Sequence, residues 1–219
     1  MAKLRVHNLA VSIDGYAAGP HQDVDNPLGV RGRELHEWVF ATAFGQAMIG
    51  IDVADDAERG VDNEFLEAGV AGIGATIMGR NMFGPVRGLW EDSEEWNGWW
   101  GPEPPYHHPV FVLTHHARPP LEMGETTFHF VTDGIESAYA LAMEAAGGAD
   151  VRLGGGASTV NAYLRAGLVD ELHMAVAPVL LGAGERLLDD VGTALDRYAV
   201  AEVVSSPAVT HVRIARTDG

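Results

Sequence analysis

A single α/β domain, with a mainly parallel sheet covered on both faces by helices and an antiparallel closing edge, is the fold the sequence predicts. Three observations predict it. Short apolar runs alternate with segments of helical spacing along most of the chain. The last two runs follow each other with no helix between them, as an antiparallel pair does. A 47% hydrophobic content over 219 residues supplies a sizeable core with no low-complexity stretch dividing it, so residues 1–219 read as one domain.

Residues 4–11 are rich in apolar side chains and run into Ser12-Ile13-Asp14-Gly15, a strand with polar groups at its carboxyl end. In residues 34–44, Leu35, Trp38, Val39 and Ala43 recur at helical spacing and give a first helix. Residues 45–60 are polar and acidic, reading as surface loop before a second helix near 63–71. Residues 74–80 form an apolar strand stopped by Gly79. Trp90, Trp96, Trp99 and Trp100 then lie among prolines, glycines and carboxylates up to Tyr106. So many indoles indicate a folded flap over apolar surface, either a plain cover or a lid over a pocket.

Residues 110–114 and 126–131 read as strands, and the alanine-rich helix at 135–146 stops at Gly147-Gly148. A strand at 150–153 enters Gly154-Gly155-Gly156, and a helix at 158–166 ends at Gly167. Residues 169–176, 199–204 and 209–214 complete the sheet.

Charge and composition exclude several classes. With 14 Lys+Arg against 31 Asp+Glu, the net charge of −17 repels nucleic-acid phosphates and anionic membranes, leaving a small molecule as the expected partner. Lys3 is the only lysine, so the phosphate loop of nucleotide hydrolases is absent. Zero cysteines exclude disulfides, thiolate catalysis and cysteine-ligated zinc. The pairs His107-His108 and His115-His116 point to opposite faces when extended, and no H-E-x-x-H occurs, so no metal site is expected. No secretion signal or membrane span is legible, which makes the cytoplasm the expected compartment.

Three candidate anion or ligand sites each follow a strand. At Gly154-Gly155-Gly156 a helix begins at once, so unpaired N–H groups and a partial positive charge meet residues without a Cβ, with the Ser158 and Thr159 hydroxyls alongside. A pyrophosphate fits there; so does a plain helix start with no ligand. Met78-Gly79-Arg80 offers close backbone approach and a two-pronged guanidinium. Leu113-Thr114-His115-His116 ends the next strand. In an open parallel sheet the ligand crevice lies at the carboxyl ends of strands, so these sites should converge. The G-G-G spacing and late position depart from the usual dinucleotide fingerprint.

In order along the chain, S-x-D-G at 12–15, M-G-R at 78–80, Leu113-Thr114, the triple glycine, Val169-Asp170-Glu171-Leu172 and Pro178-Val179-Leu180-Leu181-Gly182 resemble the reductase domain of riboflavin biosynthesis. The resemblance implies a dihydrofolate-reductase-like three-layer αβα sandwich, an NADPH-dependent reductase of a small heterocyclic or ribosylamino-pyrimidine-like substrate, and a homodimer. It implies that Gly79, Arg80, Thr114 and His115 hold the 2′-phosphate side of NADPH. Gly154, Gly155, Gly156, Ser158 and Thr159 would hold the pyrophosphate, and Ser12, Asp14 and Gly15 would meet nicotinamide and substrate. Asp14 is the candidate for orienting substrate or relaying a proton, with turn capping as its other reading. Glu171 is a candidate substrate contact, or else an ion-paired carboxylate at a strand start. Dihydrofolate reduction and a non-catalytic nucleotide- or metabolite-binding module are the alternatives.

Overall fold

A computed structural model provides the fold and describes residues 1–84, 88–90 and 96–217. Its strands are β1 Leu4–Ser12, β2 Tyr16–Ala18, β3 Ile73–Gly79, β4 Val110–Leu113, β5 Leu121–Met123 and β6 Thr126–Val131, then β7 Asp150–Gly155, β8 Glu171–Ala177, β9 Glu185–Arg186, β10 Tyr198–Ser205 and β11 Thr210–Arg216. The α-helices are α1 Glu37–Ala41, α2 Ala43–Met48, α3 Val61–Val70, α4 Arg80–Phe83, α5 Ile135–Ala145 and α6 Ala157–Arg165.

Among the described residues, nine strands make one sheet in the order β10-β11-β8-β1-β7-β3-β4-β6-β5, while β2 and β9 pair separately. The six strands from β8 to β6 run parallel, and β11 and β10 close one edge antiparallel. The opposite edge is antiparallel too, because β5 folds back on β6 with Met123 opposite Thr126. Gly124, at φ +56, supplies the positive-φ turn between them. That hairpin is absent from the sequence reading, which saw only the Pro-Pro break before it.

Side-chain alternation divides the core by face. Val6, Ile77, Leu153 and Leu172 pack on one side with Ala138 and Ala142 of α5 and Val160 and Leu164 of α6. On the other side α1 and α3 cover Ala175 with Trp38, Val39 and Leu66. Further along that face Phe83, Trp90 and Trp96 cover Met78, Val110, Val112 and Phe128. Of the flap's tryptophans Trp90 is thus buried core and Trp96 packs half-buried against it, whereas Trp100 is exposed: Trp96 Nε1 donates to the Phe83 carbonyl at 3.0 Å and Trp90 Nε1 to the His116 carbonyl at 2.7 Å.

The helix expected over 34–44 is broken. A 3-10 turn at Gly32–His36 leads into α1, Thr42 turns extended, and its hydroxyl accepts from Gly45 N to cap α2. Close packing fixes the break, since a Cβ on Gly45 would sit 2.0 Å from the Val39 carbonyl oxygen. The first part of the expected 45–60 loop is consequently helix α2.

One buried polar chain crosses the second face. Asn8 N donates to His173 Nδ1 at 3.1 Å, so His173 carries its proton on Nε2 and passes a 3.0 Å bond to His211 Nδ1. His211 Nε2 then donates to Asp62 Oδ1 at 2.8 Å, and Ser206 Oγ donates to Oδ2 at 2.9 Å. Phe65 stacks on both imidazoles. Every donor has a place, which is how this polar chain is accommodated inside a core.

Candidate active site

Pairing brings the expected motifs to one end of the sheet. Ser12 lies beside Ala177, Met78 beside Gly155, and Gly79 beside Leu113, so the carboxyl ends of β1, β7, β3 and β4 are adjacent. Here the chain leaves each strand through a turn, at the end of the sheet where open parallel sheets form their ligand crevice.

At the triple glycine, Gly155 sits at φ +124 and its peptide to Gly156 is cis. Gly156 is exposed, and no atom lies within 4 Å of the position its Cβ would take. The first N–H groups of α6 face that space without intrahelical partners. Gly79 is required for a different reason: its Cβ would come within 2.4 Å of Thr159 Oγ1, so β3 and the first turn of α6 touch only because residue 79 has no side chain. Thr159 is thus part of this contact, and Ser158 is exposed beside it.

Arg80 opens α4 and lies flat on Trp90, with its guanidinium carbon 3.4 Å from the ring centroid. Among the described residues its Nε and Nη2 are buried without a hydrogen-bond partner, and Nη1 donates a 3.4 Å bond to the Gly84 carbonyl. Burial and the neighbouring Arg118 charge lower its pKa to about 10, leaving it charged at neutral pH. Arg118 approaches the same indole at 5.0 Å. Thr114 is buried, and its hydroxyl accepts from His116 N at 3.2 Å, shaping the turn that exposes His115. A cleft of about 620 Å³ opens between Trp90, His115, His116 and Arg118. His116 belongs to the third site expected from the sequence, whereas Arg118 was not singled out there and Trp90 was read only as part of the flap.

The S-x-D-G turn is wired internally. Ser12 Oγ accepts from Tyr16 N at 2.9 Å, and Gly15, at φ +89, allows its own N–H to reach the Ser12 carbonyl. Both Asp14 oxygens are engaged, Oδ1 by Leu181 N at 3.1 Å and Oδ2 by Gly182 N at 2.7 Å. The Ser12 hydroxyl and these two amides hold the carboxyl down at about 2. This corrects the proton-relay assignment towards its other reading, turn capping: the Asp14 carboxylate ties the β1 turn to the loop after β8.

Glu171 is also corrected. It begins β8 opposite Arg5, whereas Ser12 meets Ala177 at the strand's other end, roughly 20 Å away at a strand's rise per residue. There it bonds His7 Nε2 at 2.7 Å and Arg213 Nη1 at 3.3 Å, partners that hold its pKa near 2. It is a structural ion pair outside the crevice. No group of His, Cys, Asp or Glu suited to a metal occurs among the described residues, and no described helix is long and apolar enough to cross a membrane.

Sheet order, flanking helices and crevice together define a dihydrofolate-reductase-like α/β sandwich. A riboflavin-biosynthesis-named protein of Shewanella sp. PV-4 superposes with a TM-score of 0.62 at 20% identity, covering 99% of each chain. Dihydrofolate reductase from Enterococcus faecalis, solved with NADP(H), gives 0.52 at 13% identity over 99% of this chain and 97% of that one. The chain matches 56% of the Thermotoga maritima diaminohydroxyphosphoribosylaminopyrimidine deaminase/5-amino-6-(5-phosphoribosylamino)uracil reductase, with 98% of its own length, a TM-score of 0.54 and 13% identity. At these identities the likeness is one of fold.

The family is shown by sequence: the RibD C-terminal domain model matches residues 5–203, and the chain belongs to that family. A 44-residue stretch, 20% of this chain, is also 46% identical to the uncharacterized protein YyaP of Bacillus subtilis and spans 23% of it.

Proposed function

We propose that this chain is an NADPH-dependent reductase acting on a small, pyrimidine-like heterocycle at the crevice. The observation that carries the cofactor reading is Arg80, whose buried Nε and Nη2 lack hydrogen-bond partners among the described residues, beside an open cleft. A buried guanidinium with unmet donors is costly unless an anion completes it, and a 2′-phosphate presents the oxygens a planar fork engages. The open space at Gly156 and the start of α6 suits a pyrophosphate on the same line. When bound, NADPH would supply the hydride. The chain's own part is to hold the reactants in line and keep water out. Met82, which a Cβ on Gly154 would meet at 3.1 Å, forms an apolar wall beside the turn.

Family membership and the reductase named for the Thermotoga neighbour support the pyrimidine-like substrate. The test is a tryptophan-fluorescence titration, with Trp90 under Arg80 as reporter. NADPH should bind roughly 10–100-fold more tightly than NADH, and Arg80→Ala should erase the difference, as loss of a charged hydrogen-bonded contact predicts. Equal affinities in the wild type would sink the 2′-phosphate reading. NADPH oxidation is then followed with a panel of aminopyrimidines and dihydrofolate. Tight binding with no oxidation by any of them would favour a non-catalytic binding module.

A further inference from the structure

The buried face of α6 carries one amide among apolar side chains. Asn161 is 5% exposed, with Val160 and Leu164 of the same helix in the core. Asparagine is a weaker helix former than alanine or leucine, and a buried amide is costly unless its ends are bonded. Both ends are bonded here. Leu188 N donates to Asn161 Oδ1 at 2.9 Å, and Asn161 Nδ2 donates to the Arg186 carbonyl at 3.1 Å. The side chain thus pairs with the backbone of residues 186 and 188 as a neighbouring strand would, across the buried Leu187.

The other edge of this short strap belongs to the S-x-D-G turn and the strand that follows it. Leu187 N donates to the Gly15 carbonyl at 2.9 Å, and β9 pairs with β2 through Tyr16 opposite Arg186 and Ala18 opposite Glu185. Arg186 lies over the Tyr16 ring, its guanidinium carbon 4.7 Å from the centroid, and its Nη2 donates to the Tyr16 hydroxyl at 3.2 Å. Residues 185–188 are therefore held between Asn161 on one side and residues 15–18 on the other.

The strap also stores strain at the residue that Asn161 holds. Leu188 adopts φ +61, a left-handed conformation that a bulky side chain takes only at a cost, and its N–H is the group that Asn161 receives. The glycine turn is close by along the helix. α6 begins at Ala157, directly after the open Gly156, so one helical turn separates its first residue from Asn161. Whatever immobilises that first turn is passed on by Asn161 to the strap and from there to Gly15.

We infer that Asn161 is a positioning residue: through the strap at 185–188 it fixes the substrate turn at 12–15 relative to the cofactor turn at 154–156. The inference rests on the reductase reading for what the two turns hold. Being buried, Asn161 acts through the backbone it bonds.

The test is hydrogen exchange of single amides in the whole chain, with and without NADPH. In the wild type the cofactor should slow the first-turn amides of Ser158 and Thr159, which have no intrahelical partner. It should also slow Leu187 and Leu188 N–H by about tenfold, the scale of one hydrogen bond held more firmly. In Asn161→Ala the first turn should still respond while the strap response disappears. Asn161→Asp keeps the acceptor for Leu188 N and loses the donor to Arg186, so it should retain a reduced strap response, and it serves if the alanine variant does not fold. Leu66→Ala truncates the core on the opposite face and should lower the melting temperature without uncoupling the strap. Loss of the strap response in that variant too would reduce Asn161 to a structural role. A strap that responds fully in Asn161→Ala, or stays silent in the wild type while the first turn responds, overturns the coupling and leaves the cofactor reading standing. Silence at both places in the wild type overturns both.

Discussion

Both oxygens of Asp14 are spent on backbone amides, and this decides what its removal should do. Asp14→Asn weakens two charge-assisted hydrogen bonds that tie the β1 turn to Leu181 and Gly182. The variant should melt lower and show a raised KM, while the pH dependence of kcat stays where it was. A displaced acidic limb would return Asp14 to proton transfer. His173 makes a second residue-level case. Burial, with His211 next, lowers its pKa from 6.5 to about 3, so the folded protein keeps it neutral while the unfolded chain protonates below 6.5. The unfolded state then binds the extra proton, and stability present above pH 6.5 is lost as pH falls towards 3, on the order of 4 kcal/mol in all. Urea midpoints between pH 7 and 4 should fall steeply in the wild type and less so in His173→Gln; parallel curves would refute the account. Neither role could be read locally. Asp14 was visible as a turn residue, but its partners stand 167 and 168 positions away, and the His173–His211–Asp62 chain joins residues with no shared motif.

Among elements, the contact of β3 with α6 is the one most open to test. Gly79→Ala would drive a methyl against Thr159 Oγ1 and should cost about 1–3 kcal/mol while spreading the glycine turn. Removing the opposing hydroxyl in Gly79→Ala/Thr159→Ala should recover much of that loss, a coupling that denaturant melts of the four proteins would measure. Additive losses would show that the crowding lies elsewhere. Elements with strong periodicity were legible, which is why β6, α5 and α6 emerged within a residue or so of their expected bounds. The 34–44 segment misled because its apolar spacing continues through Thr42, whose break is imposed by the Val39–Gly45 contact rather than by composition. The β5 strand was hidden by its length of three residues, too short for alternation to declare itself. Arg80 stood out by its motif, whereas Trp90, on which it lies, was legible only as part of an aromatic-rich flap.

For the whole molecule, alternation of strands and helices was enough to predict layers and a parallel sheet, and the antiparallel carboxyl-terminal edge followed from two strands with no helix between them. Strand order was beyond such reasoning, because nothing in residues 4–12 says that their neighbours are 150–155 and 171–177. That pairing has a consequence during synthesis. β1, made before the other strands described, lies in the interior of the finished sheet, yet both of its partners are made more than a hundred residues later. Until then an apolar strand must wait with both edges open, and closing so long a loop is slow. Refolding should therefore show a late, concerted gain of β1, β7 and β8 protection in pulsed hydrogen exchange. Chains cut before residue 171 should aggregate through the edge β8 would have covered.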